Sequence, residues 1–326
     1  MFRLVLILLM YCNSAISSSY LFINQQQGDT VSVFDRDTLS FKTKMPALEG
    51  PAGIAINGDK PWIAVTYPEQ GMVSFFDTEK LIPLEHLSVG GSPFGVVFAN
   101  KLLFYSDWDA GIVGVIQPGT GRVIKKIIVG KSPAGIATDA CESQVWVLNR
   151  ESNDVFVIDS NRLKVIKKIT VGAAPFALAL DEQFAYIANS QENTLSIVDL
   201  SGFTEIKRIK VGRMPYGVAI DRKQQKVYVS NQLENTVTVL DSRSHKVIKS
   251  IATGAYPENI AVDEKNRRLF VLNWMDANIS VFDSQTGKEI KKINVAEGSR
   301  AFGQFVSNPE KCQAVKGLLK KQAMRR

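Results

Sequence analysis

Short apolar runs rich in Val, Ile and aromatic residues alternate along this chain with polar turns, and the body shows no 3.6-residue helical period. The segment PYGVAIDRKQQKVYVSNQLENTVTVLDSRSHKVIKSIATG, from Pro215 to Gly254, holds four such runs. Asp-Arg-Lys, Asn-Gln-Leu-Glu-Asn and Asp-Ser-Arg-Ser separate them. These separators favour turns, so the segment predicts four consecutive antiparallel strands. The pattern recurs behind Pro51, Pro93, Pro133, Pro175, Pro215 and Pro257, at spacings of 42, 40, 42, 40 and 42 residues. A seventh copy begins 42 residues further on, where Ser299 replaces the proline. Four antiparallel strands per repeat of this length is a β-propeller blade.

The two ends set the blade count. The N-terminal part supplies three strands, Tyr20–Asn24, Thr30–Phe34 and Phe41–Met45, and the last repeat supplies one, Ala301–Val306. Together they make one blade, so the expected fold is an all-β, seven-bladed β-propeller. Its N- and C-terminal strands share a blade, which closes the ring and removes a free sheet edge. Residues 18–306 form this domain.

Residues 1–17 read as a secretory signal: Arg3, an apolar run from Leu4 to Met10, then small residues at Ala15 and Ser17. The expected location is therefore periplasmic or secreted. An uncleaved anchor is the alternative, and the bulky Tyr11 argues against lipid attachment at Cys12. Residues 307–326 predict a short basic amphipathic C-terminal helix. Asn308-Pro309-Glu310 suits a helix start, and Val315, Leu319 and Ala323 share a face.

Charge changes the picture through its location. The net charge is +7, and residues 307–326 carry six cations and one anion, or +5. Arg3 lies in the signal, so the propeller body holds 7 − 5 − 1 = +1. The basic character belongs to the tail, which speaks against a nucleic-acid surface on the body. The tail is expected to dock on the face where strand one of each blade ends. A Cys141–Cys312 disulfide could staple it there, with two free thiols as the alternative. Contact of the tail with an anionic membrane is the other reading.

The segments VWVLNRESNDVFVID, AYIANSQENTLSIVD, VYVSNQLENTVTVLD and LFVLNWMDANISVFD resemble the YVTN repeat. The ending NVAEGSRAFGQFV is similar to the last blade of small periplasmic propellers of that family, including those that accompany quinoprotein dehydrogenase systems. The resemblance covers nearly all of Ser19–Val306. It implies the fold, and it leaves open binding proteins, cofactor-carrying subunits and enzymes.

Blade geometry nominates a site even without a motif. The 4→1 and 2→3 connections of every blade lie on one face and converge on the mouth of the central channel. The residue after each marker reads Ala52, Phe94, Ala134, Phe176, Tyr216, Glu258 and Arg300, and the preceding position adds Met214 and Tyr256. The 2→3 loops add Asp107, Trp108, Asp109, Arg150, Trp274 and Asp276. The candidate ligand- or partner-binding residues are thus Phe94, Trp108, Asp109, Arg150, Phe176, Tyr216, Tyr256, Glu258, Trp274, Asp276 and Arg300. The competing expectation is that the aromatics pack between blades and that Glu258 pairs with Arg300. The Asp ending strand three and the Asn after strand two read as turn-building residues.

Catalytic signals are sparse. His86 and His245 are the two histidines, both near outer-strand segments, and no CxxC, CxxCH, GxSxG or phosphate-loop motif is present. No catalytic residue, metal site or cofactor is assigned. The leading reading is a non-catalytic periplasmic binding or scaffold protein that offers an aromatic mouth to a protein partner or small ligand. The alternatives are an accessory or subunit of a periplasmic quinoprotein-type redox system, partnered by a dehydrogenase, and a lactonase-like propeller hydrolase. Single-stranded DNA binding, borrowed from one branch of related propellers, is disfavoured by the near-neutral body.

Overall fold

A computed structural model of the chain describes residues 20–306. The signal, the C-terminal helix and Cys312 lie outside the described residues. Inside them six blades follow in chain order, five as four-stranded antiparallel sheets and blade one as four antiparallel strands with Phe302–Gly303 added as a fifth. Blade one runs from Gly53 to Ser88, blade two from Pro93 to Ile128 and blade three from Pro133 to Thr170. Blade four spans Pro175–Lys210, blade five Pro215–Ala252 and blade six Pro257–Asn294. The seventh sheet joins Tyr20–Gln25, Thr30–Asp35 and Ser40–Pro46 to Ser299–Arg300. The shared blade is therefore real, with Asn24 opposite Arg300 and Gln25 opposite Ser299.

Within a blade the strands are graded by burial. Strand two is buried on both faces, as in Val145–Asn149 and Val227–Asn231. Strand four is largely exposed, and its Lys125/Lys126 and Lys167/Lys168 pairs keep the rim charged against edge-to-edge association. The core is a series of apolar seams between neighbouring blades. Ala55 and Phe75 of blade one, for example, meet Phe98 and Tyr105 of blade two.

Polar contacts fix the seams. Thr66, Ser106 and Ser230, on strand two, each donate across to the backbone carbonyl of Phe94, Ala134 and Glu258 on strand one of the next blade. Asn24 does the same to Ala52. The approach is close enough to require glycine. A Cβ on Gly53, Gly95, Gly135 or Gly217 would strike the carbonyl of Phe94, Ala134, Phe176 or Glu258. Blades six and seven are further joined by Arg36 and Asp263, an ion pair at 3.3 Å with both side chains almost fully enclosed.

The closing strand departs from the expected run Ala301–Val306. Ser299–Arg300 pairs antiparallel with the shared blade, and the chain then swings away. Phe302–Gly303 pairs in parallel with Gly53–Ile54 of blade one. The chain returns at Phe305, whose carbonyl accepts from the Phe22 N–H, and at Val306, which bridges to Leu21. Gly303 turns this corner at φ +119°, a conformation that L side chains rarely adopt.

Candidate functional site

The swing of the closing strand puts Phe302 on the axis. Its ring centroid lies 4.7 Å from Phe94, 5.0 Å from Phe176 and 6.4 Å from Tyr216. Phe176 and Tyr216 are 4.3 Å apart, and Phe94 meets Trp108 edge-on at 5.5 Å. These rings close the channel beneath the mouth. Phe302 was not nominated from the sequence, because it occupies a repeat position that elsewhere holds Ile54, Val96, Ile136, Leu178, Val218 and Ile260. The available signal was its neighbour: Gly303 stands where the other repeats carry Ala or Val.

Around this floor stand two arginines and one acid. Arg150 lies over Trp108 and Phe176, at 5.9 and 5.8 Å from the ring centroids. Arg300 lies 5.3 Å over Trp274, and its Nε is 3.5 Å from Oε2 of Glu258. Gln232 donates from Nε2 to Oε1 of Glu258 at 3.2 Å. Glu258 is 3 % exposed. Burial pushes its carboxyl up to about 7, against the opposing pull of Arg300 and the Gln232 hydrogen bond. Burial and the Glu258 charge also raise the Tyr216 hydroxyl above the ordinary tyrosine range. Arg300 and Arg150 both act in the opposite sense on that hydroxyl, so the three charged groups gather around it.

Loop geometry sets these side chains. The backbone N–H groups of Trp108, Arg150, Gln232 and Trp274 donate to Ser92, Ser132, Met214 and Tyr256 in the 4→1 loops. The four residues share one repeat position, so Gln232 could have been found by the equivalence that found the other three. Tyr256 holds a left-handed backbone, φ 59°, fixed by Asn235 Oδ1, which accepts its N–H. That conformation brings its ring to 5.6 Å from Trp274.

Two nominated acids play no part in this cluster. Asp276 is exposed and accepts the Ala255 N–H, so it builds its loop. Asp109 is exposed in the loop after Trp108. The repeat-breaking Asp107 accepts the N–H groups of Ser92 and Ala110, which is loop-building work as well. His86 bonds Ser74 on an outer strand, and His245 packs edge-on against Phe184, away from the mouth. Among the described residues no group of three or more His, Cys, Asp or Glu could hold a metal ion. Cys141 is exposed in the 1→2 turn of blade three.

The arrangement offers recognition chemistry. Two cations stack on two tryptophans above an aromatic floor. Arg150 Nε, Trp274 Nε1 and Gln232 Oε1 are enclosed without a hydrogen-bond partner. Such a surface takes a planar or apolar group on the rings and a negatively charged or carbonyl group on the arginines.

A family model described as a YNCE-like beta-propeller matches residues 181–265, from the first turn of blade four to that of blade six. No curated protein matches the sequence significantly. The chain superposes on hydrazine synthase of Kuenenia stuttgartiensis with a TM-score of 0.72 at 17% identity, covering 82% of this chain and 93% of that one. It superposes on a functionally unknown protein from Desulfotomaculum acetoxidans with a TM-score of 0.76 at 18% identity, covering 90% and 100%. The chain is thus a seven-bladed β-propeller that is similar to the YNCE-like propellers over residues 181–265.

Proposed function

We propose that this propeller is a non-catalytic, exported binding protein that captures a protein partner or small ligand at its aromatic mouth. The observation that carries the reading is the pairing of Arg150 with Trp108 and of Arg300 with Trp274 above a sealed floor. Trp, Tyr and Arg are the residue types that dominate binding hot spots. Glu258, whose carboxyl burial pushes towards neutrality, contacts Gln232 and Arg300, where it positions the arginine rather than meeting a substrate. Export follows from residues 1–17, and the bacterial periplasm is the compartment that fits the repeat resemblance.

The test is quantitative co-isolation of the tagged chain from its own compartment, wild type beside the double substitution Trp108→Ala, Trp274→Ala. The expected outcome is loss of a defined partner or ligand with the melting temperature nearly unchanged. Equal capture by both proteins would overturn the reading, and so would collapse of the fold, which would make the two rings packing residues.

A further inference from the structure

The aromatic floor divides the axis in two. Below it, on the face opposite the mouth, lies a cavity of about 580 Å³. Its walls are apolar strand-one residues such as Val96, Ile136, Leu178 and Val218, with Phe302, Phe305 and Val306 from the closing strand. Ala177, Leu178 and Ala179 are only half-buried although they sit on an innermost strand, because they face this space. A volume of this size and character is that of a binding site.

Three observations point to one occupant. The closing strand delivers the chain to this cavity, since Val306 lines it and residue 307 follows directly. The 1→2 turns of blades three and four contribute Asp139, Glu142, Asp181 and Glu182 and no cation, whereas those of blades five and six bring Arg222, Lys223 and Lys265, with Arg222 paired to Glu182 at 3.4 Å. Residues 307–326 carry +5 together with Val315, Leu318, Leu319 and Ala323, so their apolar content matches the walls and their charge matches the turns of blades three and four. Reach is sufficient as well. Cys312 lies six residues beyond Val306. At about 3.3–3.6 Å per extended residue that span reaches about 20 Å.

We propose that the axial cavity is a second binding site, independent of the mouth, and that its occupant is the chain's own segment 307–326. The segment lies across the acidic turns of blades three and four, with its apolar side chains over the cavity and Cys312 near Cys141.

The two thiols provide the probe. Reduced full-length protein is treated with a short-spacer bismaleimide and mapped by peptide mass spectrometry, with Cys141→Ser as the control. An intramolecular Cys141–Cys312 link, weakened by high salt, is the expected result. Independently, a chain ending at Val306 should bind the apolar dye anilinonaphthalene sulfonate several-fold more brightly than the full chain. Leu318→Glu with Leu319→Glu in the full chain should do the same, which covers the case in which the shortened chain folds poorly. Absence of the link together with unchanged dye binding in both variants overturns the proposal. So does an intact chain whose tail binds anionic vesicles and gives no intramolecular link. The mouth is the same in all of these proteins, so dye bound there cancels between them, and failure of the comparison would leave the proposed function standing.

Discussion

At the scale of single residues, the site depends on a buried acid. Glu258 has a folded-state pKa of about 7 against an ordinary 4.5, because burial outweighs Arg300 and Gln232. The folded protein therefore binds more protons than the unfolded chain between those values, and stability falls as pH rises through that window. Glu258→Gln should remove this slope. Denaturant titrations at pH 5 and pH 8 should show the wild type losing on the order of 1–3 kcal/mol more than the variant across the interval. An identical pH slope in both proteins would contradict it. Glycine governs the seams at the same scale. Gly95→Ala drives a methyl into the Ala134 carbonyl and should cost on the order of 1–3 kcal/mol, read from the urea midpoint.

At the scale of elements, the closing strand does two jobs with one segment. Ser299–Arg300 completes the last sheet, and Phe302–Gly303 crosses to blade one. Phe305 is fully buried in the seam around Phe22, Ile54 and Leu272. Phe305→Ala should therefore cost about 3–5 kcal/mol in a single cooperative transition. Phe302→Ala, in a half-buried position, should cost less but open the floor, so that a dye bound on one face becomes accessible to quencher from the other.

The blades themselves were legible from residues. The marker spacing, the turn clusters and the three N-terminal strands specify six whole blades and one shared, as observed. The break in the closing strand was not legible, because Phe302 fits the apolar pattern of its repeat position. Only Gly303 marks the bend, and a glycine alone does not say which way a chain turns. The mouth was partly legible: repeat position brought Phe94, Trp108, Arg150, Phe176, Tyr216, Tyr256, Glu258, Trp274 and Arg300 to one end of the axis. The roles of the acids were not, since Asp276 and Asp107 look the same in sequence whether they cap a loop or face a ligand.

At the scale of the whole molecule, closure is what holds the ring. Blades six and seven meet through the enclosed Arg36–Asp263 pair and through Asn266, which reaches Asp37 more than two hundred residues away in sequence. Deleting residues 299–306 removes the inner strand of the shared blade and exposes the seams on both sides. Thermal unfolding of that variant should begin far below that of the intact chain, with blade seven losing hydrogen-exchange protection first. A melting temperature within a degree or two of the intact protein would refute ring closure by this strand.

Phe302 has one further consequence, for the order in which the molecule is made. It belongs to the final segment of the domain to leave the ribosome, so six blades can form while the axis is still an open tube. The platform that would receive a ligand comes into being only when synthesis of the domain ends. A chain that stops short of this segment therefore lacks the floor of the mouth, whatever the state of its other blades.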